Sequence, residues 1–308
     1  MNKEKILAVV GPTASGKTSL SIELAKAHNG EIISADSMQI YKGMSIATAK
    51  PDIEEMQGIR HHLIDFLDPD ETFSVSEYVK LANEAAEDII SRGKIPILCG
   101  GTGLYVRSFL ENVQFSEEKN DPQLREHLTE RYKNEGGEKL LEELKEFDPE
   151  TAAVLLLSNS KRIIRAMEIF ILTGITMSES VKKSKSIPSP YEKTVIGITF
   201  ADREKLYQRI NKRVDIMLEN GLLEETEKFY QREKGLTASA AIGYKELKPY
   251  LDGKLTLDEA VENLKRETRR YAKRQLTWFR RDEYIHWIEA DKVDNVFEEA
   301  ERIIHRYY

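Results

Sequence analysis

The N-terminal third of the chain alternates short apolar runs, rich in β-branched residues, with segments whose apolar residues recur at helical spacing. This alternation predicts a parallel sheet with helices packed on its faces. The pattern predicts strands at Ile6–Val10, Glu31–Ala35, His62–Phe66 and Ile95–Cys99. Between the last two strands, an amphipathic helix ends at Gly93, so this stretch predicts a strand–helix–strand crossover.

The strand signal disappears after Leu110 and returns at Val195–Phe200. The apolar residues between these points have helical periodicity, which predicts an all-helical insertion in the sheet. The insertion closes with a Lys/Ser/Pro-rich stretch, Lys182–Pro190, which we expect to be a mobile connection. The predicted divisions are a first core part at residues 1–112, the insertion at 113–190 and a second core part at 191–308.

The composition is that of a globular protein. Of the 308 residues, 40% are hydrophobic and 32% are charged, which excludes a disordered chain. The single cysteine, Cys99, excludes a disulfide framework and a cysteine-cluster zinc site, and we interpret it as a small core residue. No apolar run approaches the roughly 20 residues of a membrane span. Because the first strand begins close to Met1, we expect no targeting segment and a cytoplasmic location.

Residues 11–18 form the complete G-x-x-x-x-G-K-[ST] pattern between an apolar strand and a helical segment. The backbone N–H groups of such a loop, with the start of the following helix, hold phosphate oxygens. Lys17 adds a positive charge, and the hydroxyl of Thr18 can bind Mg²⁺. The alternative, an ordinary glycine-rich turn, does not explain the flanking strand and helix. The predicted phosphate-binding residues are Gly11, Pro12, Thr13, Ala14, Ser15, Gly16, Lys17 and Thr18.

An NTPase normally places an aspartate after a later apolar strand to hold Mg²⁺. Here Ile95–Cys99 instead runs into a Gly-Gly-Thr-Gly sequence, and an acid occurs earlier, at Asp36, where the second predicted strand ends. The carboxyl ends of parallel strands line the ligand crevice, so we expect Asp36, Thr102 and the P-loop to meet in one cleft. A carboxylate there suits a general base or a metal ligand, although capping of the next turn is also open.

Arg209 and Arg213 lie four residues apart on the helix predicted after Phe200, which ends at Asn220–Gly221. At this spacing their side chains are neighbours, and two guanidiniums can neutralise a diphosphate. Exposed arginines on amphipathic helices usually lie in solvent, however. The residues alone therefore favour a solvated interpretation of both arginines.

The net charge of −7 is unevenly distributed along the chain. Lys265–Arg281 contains eight basic residues and one acidic residue, so this helical segment carries +7 and the rest carries −14. A basic helix with interleaved aromatic residues suits an RNA backbone and unstacked bases. A membrane surface, a calmodulin-type partner and a solvated face with Trp278 and Phe279 in the core are the alternatives. A second basic cluster, on the insertion, contains Lys161, Arg162 and Arg165.

Together these motifs resemble those of the tRNA dimethylallyltransferase family, also called tRNA isopentenylpyrophosphate transferases, in its bacterial form. The resemblance extends over nearly the whole chain, and the eukaryotic zinc finger is excluded by the single cysteine. Ser45 and Ala47 depart from the family pattern within Gly43–Lys50, as does Leu156–Asn159 before the basic cluster. The matching stretches are Gly11–Thr18, Ser34–Met44, His61–Asp65, Gly100–Tyr105, Ala241–Glu246 and Thr268–Arg280.

The resemblance implies an α/β fold with a P-loop kinase-like parallel sheet, flanked by helices and interrupted by an all-helical insertion domain. It also implies transfer of the dimethylallyl group of dimethylallyl diphosphate to the exocyclic amino nitrogen of adenosine 37, in tRNAs that read codons beginning with U. In this family the P-loop would hold the prenyl diphosphate, with Mg²⁺ at Thr18 as cofactor. The enzyme would be a monomer without a membrane or an obligate protein partner.

The resemblance further implies roles for individual residues. Asp36, Thr102 and Arg213 would be catalytic: Asp36 would accept a proton from the attacking amino group, and Arg213 would stabilise the departing diphosphate. The role of Arg209 stays open. A P-loop kinase or NTPase, a prenyltransferase for free adenine nucleotides and an RNA-binding protein without chemistry are the competing hypotheses. The implied tRNA-binding residues are Asp36, Ser37, Met38, Gln39, Thr102, Arg162, Arg165, Arg270, Lys273 and Arg274.

Overall fold

The computed structural model describes residues 3–115, 121–184, 186–232, 235 and 237–307. The chain divides into two compact units. The first unit combines residues 1–110 and 189–308, and the second contains residues 111–188. None of the described helices is long and apolar enough to cross a membrane.

A six-stranded parallel sheet forms the centre of the first unit, within its described residues, with the order β3-β2-β4-β1-β5-β6. The central strand β1 pairs with β4 and β5 on its two sides. Ile6 to Val10 are completely buried, as expected for a strand covered by helices on both faces. This sheet confirms the predicted α/β class. The strands are β1 (Glu4–Val10), β2 (Gly30–Ser34), β3 (His61–His62), β4 (Ile95–Gly100), β5 (Tyr191–Thr199) and β6 (Ile285–Glu289).

Fourteen α-helices are present in the described residues, and several begin at side-chain caps that the sequence encodes. Ser74 and Glu77 form a capping box at the start of α3, and Thr256 and Glu259 form another at the start of α13. The helices are α1 (Lys17–Ala27), α2 (Ile53–Met56), α3 (Val75–Ser91), α4 (Gly103–Leu110), α5 (Pro122–Glu135), α6 (Gly137–Phe147), α7 (Pro149–Val154), α8 (Ser160–Thr173), α9 (Met177–Ser184), α10 (Arg203–Glu219), α11 (Leu222–Tyr230), α12 (Tyr244–Leu251), α13 (Leu257–Phe279) and α14 (Val296–Tyr307).

Two large apolar clusters are prominent among the described residues of the first unit. One joins the sheet to α1 and α14, through residues such as Leu24 and Ile304. The other joins α11, α12 and α13 to the segment after β2, through residues such as Tyr41, Met44 and Leu264. The second cluster therefore fixes the chain that follows the carboxyl end of β2.

The second unit consists of α5 to α9 and contains no strand among its described residues, which agrees with the predicted all-helical insertion. Its core includes Leu128, Leu140 and Ile163. The guanidinium of Arg125 binds both carboxylate oxygens of the buried Glu168, at 2.7 Å each. This ion pair joins α5 to α8, the helix that carries the basic cluster.

Two sequence predictions are wrong in detail. The strand predicted at His62–Phe66 ends at His62, because Leu63 and Asp65 adopt left-handed φ values of 58° and 56° that a strand cannot contain. The connection predicted at Lys182–Pro190 begins later, because Lys182–Ser184 forms the end of α9; Lys185 lies outside the described residues. The sequence patterns also did not single out β6 and α14.

Candidate active site

A cleft with a cavity of about 270 Å³ lies at the carboxyl ends of β1, β2 and β4. The P-loop, Asp36 and the end of β4 line this cavity, as the crevice argument predicts. Thr102 is not among the lining residues, but it contacts one of them: its Oγ1 accepts the backbone N–H of Ser37 at 3.0 Å. The helices α10 and α13 close the opposite side.

The P-loop backbone requires glycine at two positions. Gly11 has a φ of 145°, and a methyl group there would lie 2.5 Å from the carbonyl oxygen of Ile198 on β5. Gly16 has a φ of 100° and immediately precedes α1. No acidic residue occurs in the first turn of α1, so the positive end of its dipole faces no opposing side chain from its own helix. This geometry suits an anion at Lys17 and Thr18.

Lys17 lines the cavity together with other charged residues. Its Nζ donates a hydrogen bond to the carbonyl oxygen of Pro12 at 2.7 Å. Burial, with a smaller contribution from Arg213, lowers the pKa of Lys17 from 10.5 to about 8, against the opposing effect of Asp36. A bound diphosphate would favour the charged form of this lysine.

Arg209 and Arg213 both reach the P-loop from α10. Arg213 Nη1 donates to Oγ1 of Thr13 at 3.2 Å, and Arg209 Nε donates to the carbonyl oxygen of Ala14 at 2.9 Å. Arg213 lines the cavity, whereas Arg209 is exposed outside it. The solvated interpretation that the residues alone favoured is therefore wrong for Arg213, whereas Arg209 is exposed to solvent while it also binds the loop backbone. Burial lowers the pKa of Arg213, while the negative charge of Asp36 raises it.

Asp36 uses one carboxylate oxygen for structure. Its Oδ1 accepts the backbone N–H groups of Met38, at 2.9 Å, and Gln39, at 3.4 Å, so the capping alternative is correct for this oxygen. Oδ2 accepts no hydrogen bond from the described residues, and Asp36 lines the cavity together with Lys17 and Arg213. Capping therefore orients the carboxylate without using all of its capacity as an acceptor.

The helix α13 contributes more to the cavity than the sequence indicated. Thr268, Tyr271, Arg274 and Gln275 line it, while Arg270 and Lys273 are exposed. Burial raises the pKa of the Tyr271 phenol, and the nearby negative charge of Asp36 raises it further. The buried side of the basic helix thus belongs to the site, a role that helical periodicity does not distinguish from ordinary packing.

The sequence model of the family described as IPP transferase matches residues 39–282. The chain belongs to this family. It is 52% identical to the tRNA dimethylallyltransferase of Acetivibrio thermocellus, over 95% of this chain and 94% of the relative. It is 49% identical to the enzyme of the same name from Bacillus subtilis, over 93% of this chain and 91% of the relative.

Solved structures give the same assignment for this IPP transferase. The tRNA isopentenylpyrophosphate transferase from Bacillus halodurans has a TM-score of 0.72 at 45% identity and covers 99% of this chain and 95% of its own. A eukaryotic dimethylallyltransferase acting on tRNA has a TM-score of 0.82 at 30% identity, covering 99% of this chain and 80% of its own. The fold and the family that the sequence motifs indicated are thereby confirmed.

In this IPP transferase, the loop with the departures Ser45 and Ala47 is held through its backbone. The carboxylate of Glu225 on α11 accepts the N–H groups of Ser45, Ile46 and Ala47 at 2.8 to 2.9 Å. Gln39 Nε2 donates to the carbonyl oxygens of the next two loop residues, at 3.2 and 3.1 Å. The departures thus leave the loop anchored at the cavity wall. Glu225 is a residue that the sequence analysis missed, because nothing in its own neighbourhood marks it.

The oxygen donors of the cavity suit a magnesium ion that arrives with a diphosphate. The hydroxyl of Thr18 and the carboxylate of Asp36 both line the cavity. No group of three His, Cys, Asp or Glu residues that could hold a metal occurs among the described residues. Mg²⁺ commonly takes one or two protein oxygens and completes its shell with waters and substrate phosphates. The residues of this IPP transferase fit that arrangement.

We expect the affinity of this IPP transferase for a diphosphate to fall by about tenfold per pH unit above pH 8, because Lys17 must then take up a proton on binding. Below pH 8 the lysine is already charged, so the affinity should level off. Calorimetric titration with inorganic diphosphate in buffers of different ionisation enthalpy measures both the Kd and the proton uptake. In Lys17→Arg the charge does not titrate, so this dependence should disappear. An equal slope in both proteins would contradict the assignment to Lys17.

Proposed function

We propose that this IPP transferase transfers the dimethylallyl group of dimethylallyl diphosphate to the exocyclic amino nitrogen of adenosine 37, on the 3′ side of the anticodon. The acceptors would be tRNAs that read codons beginning with U, and the products isopentenyladenosine and diphosphate. One observation carries the proposal: the same small cavity contains a P-loop, a carboxylate and a partly buried arginine. The relatives named tRNA dimethylallyltransferases support the choice of substrates.

The diphosphate end of the donor fits the P-loop. Its oxygens would receive hydrogen bonds from the backbone N–H groups at the start of α1 and a charge interaction from Lys17. Arg213 is already held next to the loop by Thr13, so its guanidinium is available where charge accumulates on the leaving diphosphate. When bound at Thr18, Mg²⁺ would neutralise part of the same charge.

The prenyl group fits the apolar part of the cavity, where α10 and α11 meet α13. A five-carbon dimethylallyl chain needs no polar partner, and aliphatic side chains dominate this wall. The apolar lining residues are Ile210, Val214, Met217, Leu222 and Leu264.

The acceptor adenine must leave its stack to reach the cavity, at a cost of a few kcal/mol. Its amino nitrogen would form a bond to the allylic carbon as the bond from that carbon to the diphosphate oxygen breaks. Asp36 would take the amino proton on Oδ2, because Oδ1 is committed to the cap. Ser37, Met38 and Gln39 would contact the base and its neighbours, with Thr102 supporting Ser37 from behind.

Two basic surfaces would bind the RNA backbone, one in each unit. On α8, Arg162 is exposed, and Arg165 Nη1 lies 3.4 Å from Oε2 of Glu168. On α13, Arg270, Lys273 and Arg274 are exposed. We propose that the helical insertion binds the anticodon stem-loop, and that α13 follows the tRNA backbone near the cavity. The enzyme would act as a monomer in the cytoplasm.

We expect charge reversal at Arg270 to reduce the salt dependence of tRNA binding, because each phosphate contact contributes about 0.7 to 0.9 to the slope of log K against log salt. The slope is measured from tRNA affinities at several salt concentrations for wild type and Arg270→Glu. Arg302→Glu is the matched control. Both arginines are exposed and lie 2.6 Å from a glutamate three residues earlier, but Arg302 is on α14. Equal slopes in the two variants would show that this part of α13 does not contact the RNA backbone.

Mass analysis of tRNA nucleosides tests the proposed function directly. Purified protein is incubated with unmodified tRNA, Mg²⁺ and either dimethylallyl diphosphate or ATP. Prenylated adenosine with the first donor is the expected result. ATP turnover without a prenyl product would instead indicate a kinase or NTPase, and preferential modification of added AMP would indicate a nucleotide prenyltransferase. Binding of tRNA without any covalent product would indicate an RNA-binding protein.

A further inference from the structure

The amide of Gln275 joins two loops of the active site from the buried side of α13. The residue is only 6% exposed, in a segment otherwise rich in basic residues. Oε1 accepts the backbone N–H of Thr13 at 2.8 Å, and Nε2 donates to the carbonyl oxygen of Gly101 at 3.0 Å. One side chain thus connects the P-loop with the loop that follows β4.

Each end of this connection is next to a group that the proposed reaction uses. Gln275 binds the backbone N–H of Thr13, and the Oγ1 of Thr13 accepts a hydrogen bond from Arg213. Thr13 therefore connects Gln275 to the arginine. Gly101 precedes Thr102, whose hydroxyl accepts the N–H of Ser37 on the side of Asp36. A shift of Gln275 would therefore displace both the loop that binds the diphosphate and the loop next to the acceptor base.

The space around the amide is tightly constrained. A methyl group on Gly101 would lie 2.1 Å from Nε2 of Gln275. The φ of Gly101 is not left-handed, so backbone conformation does not demand glycine there. We attribute the small residue at 101 to the close approach of the Gln275 side chain.

The chemistry of the contact selects an uncharged amide. One partner is a donor and the other is an acceptor, and a glutamine side chain satisfies both. A carboxylate could accept from Thr13, but it would place a negative charge next to the diphosphate and could not donate to Gly101. A lysine or arginine has no acceptor for the Thr13 N–H.

We propose that Gln275 is a positioning residue that holds the P-loop and the Thr102 loop in fixed relation, so that the diphosphate and the acceptor base meet at the correct distance. The proposal rests on the proposed function of this same cavity. It predicts that loss of the amide weakens diphosphate binding and also slows turnover at saturating substrate, without changing the exposed basic surface of α13.

The first test replaces Gln275 with methionine, which has a similar length but no hydrogen-bonding amide. We expect the Kd for inorganic diphosphate to rise about tenfold, since two buried backbone groups lose their partners, and kcat for prenyl transfer to fall by a similar factor. The Kd for tRNA should stay within about twofold of wild type, since that surface is intact. Thr277→Ala, which removes only a bond to Lys273 on the same helix, should match wild type throughout.

The second test is a double-mutant cycle between Gly101→Ala and Gln275→Ala. If the two side chains compete for one space, each single variant lowers kcat/KM, but the double variant is no worse than Gln275→Ala alone. Independent effects that multiply would overturn the proposal. Unchanged diphosphate affinity and turnover in Gln275→Met would overturn it as well. A wild-type protein that binds diphosphate but forms no prenylated adenosine would instead contradict the proposed function, and the diphosphate affinities would still decide the role of Gln275.

Discussion

Replacement of Asp36 by asparagine is expected to lower kcat by about 10²- to 10⁴-fold, which is the usual contribution of a positioned general base. Asparagine keeps an oxygen that can accept the N–H groups of Met38 and Gln39, so the turn after β2 should persist. It cannot take the amino proton at neutral pH. Single-turnover prenylation, with separate measurements of tRNA and diphosphate affinity, would place the loss in the chemical step.

The matched control for this variant is Asp52→Asn. Asp52 caps the short helix α2 by accepting the N–H of Glu55 at 2.8 Å, but it is not among the residues that line the cavity. It should retain wild-type turnover. Near-complete turnover in Asp36→Asn would show that another group removes the proton and would leave Asp36 with capping alone.

Replacement of Arg213 by methionine is expected to lower kcat by about 10²- to 10³-fold, the range seen when one preorganised donor to a developing negative charge is removed. The guanidinium lies next to the P-loop and lines the cavity, so its charge acts where the diphosphate leaves. Because methionine also fills space next to the apolar wall, the loss should appear mainly as a slower chemical step. Rapid-quench measurement of the first turnover tests this expectation.

Arg209→Met provides the comparison one helical turn away. Arg209 is exposed, binds the carbonyl oxygen of Ala14 and lies over the ring of Phe200, so its loss should reduce turnover by a few-fold at most. Equal losses in the two variants would mean that the arginines act as a pair. A larger loss in Arg209→Met would reverse the assignment.

The parts of the site that the sequence predicted well are those that depend on neighbouring residues. The P-loop is one contiguous segment whose glycines and flanking strand and helix can be seen together. Asp36 was found because the end of a parallel strand has a predictable position in the sheet. The strand beyond His62 was predicted wrongly because Leu63 and Asp65 take left-handed conformations that residue type alone does not reveal.

The parts that the sequence did not predict depend on contacts between distant segments. Gln275 meets Thr13 across 262 residues, and Glu225 meets Ser45 across 180. In each case the functional partner is a backbone N–H group, which every residue except proline possesses. The partner therefore cannot be recognised from residue type. The two arginines of α10 were ambiguous for a similar reason, since the same helical spacing describes a solvated pair and a pair packed on another loop.

The strand order of the sheet determines when the central strand β1 can pair during synthesis of the chain. The central strand β1 pairs with β4 on one side and with β5 on the other, and all of residues 111–188 are made between those two partners. One edge of this central strand therefore stays open on the ribosome until β5 emerges. An open apolar edge is prone to pairing with other chains. An insertion that acquires its own core, as α5 to α8 do here, shortens the effective distance over which the nascent chain must search to close that edge.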